Sequence, residues 1–88
     1  MKYRSRTDIT SQILETSSHG GVSKTKIMYN AYLSYAQLKE YLSVLLENGL
    51  LEYVEGERLF KTTTKGMHFL KTYSQMDSLM AVSQEIEK

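Results

Sequence analysis

The chain holds no proline and only five glycines in 88 residues, so capping side chains, rather than breakers, must set its helix boundaries. The clearest mark is Ser34 followed by Gln37, a capping box in which each side chain satisfies the other residue's backbone N–H. From there Tyr35, Leu38, Tyr41, Leu42, Leu45 and Leu46 fall on one face of a helical period. Ala36, Lys39, Glu40, Ser43 and Glu47 fall on the other. Asn48-Gly49 supplies a C-terminal glycine and closes this helix.

The same reading extends in both directions. Ser5 with Asp8 resembles a second capping box and opens a helix over residues 6–16, with Ile9, Ile13 and Leu14 at helical spacing. His19-Gly20-Gly21 is expected to end it through the positive φ that glycine accepts. Ser23 can cap a short helix over 24–30, and Asn30, which tolerates the left-handed region, predicts a tight turn at residues 30–33. After Gly49, two β-prone runs (50–54 and 58–62) flank Glu55-Gly56-Glu57 and read as a hairpin. Thr63 or Thr64 then caps a last helix reaching to about residue 87, with Gly66 its only breaker. The order is helix, helix, helix, hairpin, long helix. This is mainly α with a small hairpin, a helix-turn-helix made into a winged helix and followed by a long C-terminal helix. Residues 1–73 suffice for the winged domain, and 74–88 extend its last helix.

Composition narrows the function. Without cysteine there is neither a disulfide scaffold nor a thiolate metal site, and His19 and His68 have no companion ligand at a useful spacing. No metal, cofactor or small-molecule ligand is expected. No apolar run approaches the length of a membrane span. Catalysis lacks a foothold, since the chain has no cysteine, no glycine-rich phosphate loop and no paired carboxylates in a plausible cleft. A cytoplasmic protein is the default. At this length folding buries roughly 60–65% of the chain's surface, a thin core that a second subunit would enlarge.

The net charge of +1 conceals a split: residues 1–46 carry six basic and three acidic side chains, and residues 47–88 carry five and seven. A basic face toward an anion is expected from the first half. Lys24 and Lys26 lie at the start of the second helix, as phosphate clamps or as a solvated helix end. Ser34, Tyr35, Gln37 and Lys39 occupy the first turns of the third helix, the part of a recognition helix that reaches base edges. Gln37 can pair with adenine and Lys39 with guanine, although Gln37 also serves the capping box and Tyr35 lies on the apolar side. Arg4 and Arg6, with Lys2, form either a basic arm or a charged, frayed terminus. Arg58 and Lys61 on the wing's returning strand face phosphate, or Arg58 pairs with Glu57 or Glu52. Seven tyrosines without tryptophan hint at a stacking platform, but their spacing predicts core packing for most, with Tyr41 and Tyr53 on core faces.

Beyond residue 73 an apolar stripe continues through Met76, Leu79, Met80, Val82 and Ile86, with Tyr73 at its start. A lone amphipathic helix of this length is marginal in water, so the stripe calls for a partner helix or for its own domain.

Several stretches resemble a family of small archaeal winged-helix DNA-binding proteins. They are Arg4-Ser5-Arg6, Ile13-Leu14-Glu15, Lys24 to Tyr29, Leu33 to Lys39, Leu45 to Leu50 and Phe60 to Gly66. The resemblance covers about residues 4–73. It implies double-stranded DNA binding by the third helix, in transcription regulation or in chromatin on the nucleoid. In chromatin-associated members it implies a homodimer joined through the C-terminal helix as an antiparallel coiled coil. The rival reading, from the acidic wing (Glu55, Glu57) and the modest positive charge, is a winged helix that binds other proteins.

Overall fold

The computed structural model describes residues 4–87, and side-chain surroundings for residues 4–76. Its elements in chain order are α1 (Arg6–Thr16), α2 (Lys24–Asn30), α3 (Tyr35–Glu47), β1 (Leu51–Val54), β2 (Leu59–Thr62) and α4 (Thr64–Glu87). Each helix start is fixed locally. Ser5 and Asp8 form a reciprocal capping box on α1, Ser34 and Gln37 do so on α3, and the Ser23 hydroxyl accepts the Lys26 N–H at α2. Thr63, the first of the two residues expected to cap α4, accepts the Gly66 N–H at 3.0 Å.

The glycine turn after α1 has another role than the one expected. The helix ends at Thr16, as expected, but its end is capped by the buried Ser17, which donates its hydroxyl back to the Ile13 carbonyl. Gly20 and Gly21 instead turn the chain so that Val22 exchanges two backbone hydrogen bonds with Phe60 (2.7 and 3.0 Å) and lies alongside β2. The turn after α2 is also differently made. The positive φ falls on Tyr32, at 53°, and not on Asn30. Leu33 N–H then reaches the Met28 carbonyl and Tyr32 N–H the Tyr29 carbonyl, the paired bonds of a Schellman cap. The cause lies one residue on: Leu33 must be buried, and a left-handed residue just before it drops it into the core. Gly49 (φ 72°) makes the same cap on α3, where glycine carries no Cβ penalty.

The two strands pair antiparallel, with Leu51 opposite Thr62 and Val54 opposite Leu59. The connecting loop takes its positive φ at Arg58 (56°), not at Gly56. Gly66 is needed for a different reason: a Cβ there would come within 2.3 Å of the Leu50 carbonyl, so α4 starts hard against the end of α3.

One core joins these elements. Ile13, Leu14, Ile27, Leu38 and Leu45 are almost fully buried, and Ala31, Leu33, Tyr41, Leu42, Leu51 and Phe60 surround them. Each large aliphatic side chain so buried stabilises the fold by roughly 1.5–3 kcal/mol. The apolar face expected for α3 is mostly correct, but Tyr35 and Leu46 are exposed. These residues lie in the helix's first turn and at its end. The tyrosines depart from expectation most. Tyr41 is buried as anticipated, whereas Tyr29, Tyr32, Tyr35 and Tyr53 are exposed. A domain this small has too little interior for their phenols.

Candidate nucleic-acid interface

α3 turns four residues inward (Leu38, Tyr41, Leu42 and Leu45) and presents Tyr35, Ala36, Lys39, Glu40, Ser43 and Glu47 to solvent. At its first turn the Tyr35 ring, 56% exposed, holds two cations: Lys24 Nζ lies 5.8 Å and Lys39 Nζ 5.6 Å from the ring centroid. The ring's negative quadrupole attracts both ammonium groups and offsets their mutual repulsion. The α2 start and the α3 face, separate in sequence, thus become one basic surface. Lys24 also borders a cleft whose far side carries Arg58 from the wing. The row Lys39, Tyr35, Lys24, Arg58 therefore runs from α3 to the wing.

Other candidate residues are placed differently. Lys26 is exposed on α2, and its backbone N–H donates to the Ser23 hydroxyl. Gln37 gives its carbonyl oxygen to the Ser34 N–H at 2.9 Å, which directs its amide nitrogen elsewhere. Lys61 lies 3.6 Å from Glu57, so the wing's internal pair is Lys61–Glu57 and not one involving Arg58. Neither described arginine of the N-terminus is a loose arm. Arg6 lies 3.7 Å from Glu40 and 5.6 Å above the Tyr41 ring. Arg4 donates to Gln12 Oε1 at 2.7 Å and to the Tyr32 carbonyl at 3.3 Å, and it stacks on the Tyr32 ring. Gln12 in turn donates to the Asn30 carbonyl, so α1 brackets the turn that leads into α3. Lys2 lies outside the described residues.

Two members of this face were not legible in the sequence. Thr25 and Tyr53 line the cleft with Lys24 and Arg58, and period-two alternation assigned Tyr53 to the core beside Leu51.

Away from this face, Tyr73 of α4 donates its phenolic hydrogen to the Asp8 carboxylate. That bond, with the Ser5 N–H, holds the Asp8 carboxyl below its usual pKa. Tyr73 is thus engaged within its own domain. Met76 is exposed, and Leu79, Met80, Val82 and Ile86 lie outside the residues whose side chains are described. Among the described residues no three histidine or acidic side chains cluster as metal ligands, and no helix is long and apolar enough to cross a membrane.

A winged helix-turn-helix family model matches residues 3–81. The chain belongs to that family. Among solved structures, this winged helix-turn-helix chain is similar to Sso10a-2, described as a DNA-binding protein from Sulfolobus solfataricus. The two share 20% identity with a TM-score of 0.68, over 96% of this chain and 94% of that one. At that identity the likeness speaks for the fold. No curated protein matches the winged helix-turn-helix chain.

Proposed function

We propose that this winged helix-turn-helix protein binds double-stranded DNA with the start of α3 in the major groove, as a regulator or an architectural protein of the nucleoid. The carrying observation is the basic row Lys39, Tyr35, Lys24 and Arg58, in which two lysines share the Tyr35 ring and Lys24 and Arg58 line one cleft. Ser34, Tyr35, Gln37 and Lys39 meet base edges, and Lys24, Lys26, Arg58 and Lys61 meet phosphates. Arg4 and Arg6 serve from behind by fixing the turn and the flank of α3. The description of Sso10a-2 as a DNA-binding protein supports the reading. Residues 1–73 form the DNA-binding unit. Residues 74–88 join two copies through the apolar stripe of Met76, Leu79, Met80, Val82 and Ile86, with Tyr73 at its inner edge. Nothing in this reading requires an enzyme activity.

The test is a titration with a short duplex at several salt concentrations. Each lysine that displaces a phosphate counterion contributes about 0.9 to the log–log slope. Lys24→Ala, Lys26→Ala and Lys39→Ala should each lower the slope by about that amount, and an unchanged slope in the triple variant refutes the assignment. The acidic wing tip, Glu55 and Glu57, favours a second reading as a protein-docking module, and absence of duplex binding even at low salt would select it.

A further inference from the structure

The wing and the start of α2 face each other across a cleft of about 490 Å³, lined by Ser23, Lys24, Thr25, Tyr53, Arg58 and Phe60. That volume lies in the range of small-ligand sites, roughly 300–1,000 Å³. Three features of its wall exceed what folding requires. Tyr53 shares its side of the sheet with Leu51, yet it is 45% exposed where Leu51 is 2%. Phe60 props its ring at 4.8 Å and 47°, and much of the phenol remains open to the cleft. Arg58 takes the loop's positive φ, a conformation costly for any residue with a Cβ, although Gly56 stands two positions earlier without it. Backbone strain retained at an exposed arginine marks a place where the side chain is wanted. Opposite, Lys24 and the hydroxyls of Ser23 and Thr25 complete a wall that, among the described residues, contains no carboxylate.

Two cations with hydroxyls recognise a phosphate, and an open aromatic ring stacks a planar base. One ligand carries both groups. We infer that this cleft binds a single unstacked nucleotide, its base on Tyr53 and its 5′-phosphate between Lys24 and Arg58. A base inside a duplex has both faces occupied and cannot enter, so the cleft selects strand ends, gaps or bulges, or a free nucleoside monophosphate. Where the nucleotide belongs to a strand, the inference rests on the nucleic-acid reading of this face.

The experiment compares the full chain's affinity for a blunt duplex with that for the same duplex bearing one unpaired, 5′-phosphorylated nucleotide at each end. A separate calorimetric titration uses dAMP. Base stacking of this kind corresponds to roughly a 5- to 150-fold gain, so the overhang duplex should bind at least about fivefold tighter. Tyr53→Phe keeps that ratio, and Tyr53→Leu and Arg58→Gly abolish it. Arg58→Gly suits the loop's positive φ and so remains folded even if Tyr53→Leu does not. Binding of dAMP that Arg58→Gly removes supports a free nucleotide as a source, and its absence beside an overhang preference supports the strand alone. Equal affinities for the two duplexes together with no dAMP binding overturn the inference, as does a preference that persists in Arg58→Gly. Binding of dAMP without binding of either duplex upholds the cleft while overturning the duplex reading of α3.

Discussion

Tyr32 ends α2 in the left-handed region where Gly49 ends α3, and the two residues make the same pair of capping bonds at different cost. A side chain in that region costs about 1–2 kcal/mol. Tyr32 is 80% exposed, so it recovers little by packing beyond its contact with Arg4. Tyr32→Gly should therefore raise stability by about 1 kcal/mol in urea denaturation with an unchanged slope. A fall would mean that the Arg4 contact outweighs the strain. The residue scale also shows where sequence reading failed. Asn30 carries the ordinary mark of a left-handed turn, whereas what decides the turn is the burial of Leu33, a tertiary demand with no local signature. Tyr35 misled for a related reason: in a helix's first turn no preceding turn constrains which face is covered, so periodicity says least there.

The helix starts were readable as elements because a capping box lies within four residues. Ser5 with Asp8 and Ser34 with Gln37 could be seen without knowing the fold. What each element leans on was not readable. Gly66 looked like a weak breaker in α4, and its purpose appears only once the Leu50 carbonyl is beside it. Asp8 likewise does double duty, capping α1 and receiving the Tyr73 hydroxyl from α4. Because its folded pKa lies below the unfolded value, Asp8 contributes stability that is fully present above about pH 4. That contribution is lost as the pH falls through the lowered native value. Asp8→Asn should flatten the acid limb of the stability profile, measured by thermal melts between pH 6 and about 2.5. Tyr73→Phe should weaken it partly, since the Ser5 N–H bond survives. An acid limb unchanged in Asp8→Asn would show that other carboxylates govern acid unfolding.

At the scale of the whole molecule, the proposed pairing of two copies through residues 74–88 sets the spacing of two α3 faces on one particle. Its test is light scattering on a chain ending at Ser74, because an earlier end would remove Tyr73 and confound dimer loss with damage to α1. The shortened chain should scatter as a monomer and bind DNA more weakly, and the full chain should show twice the monomer mass. A full chain that stays monomeric at high micromolar concentration refutes the pairing. The element order was legible at this scale, and so was the exposure of Lys24 and Lys39. Their convergence on one ring was not, because it depends on how α2 crosses α3. The two bonds between Val22 and Phe60 have a mechanical consequence. An isolated two-stranded ribbon is marginal in water and would flex on its own. Tied at Phe60 to the residue just before α2's cap, the wing is locked to α2 and, through Tyr35, to α3. In the proposed complex the protein would meet a duplex as a gauge of fixed jaw width, and a groove of the wrong width would itself have to deform to fit.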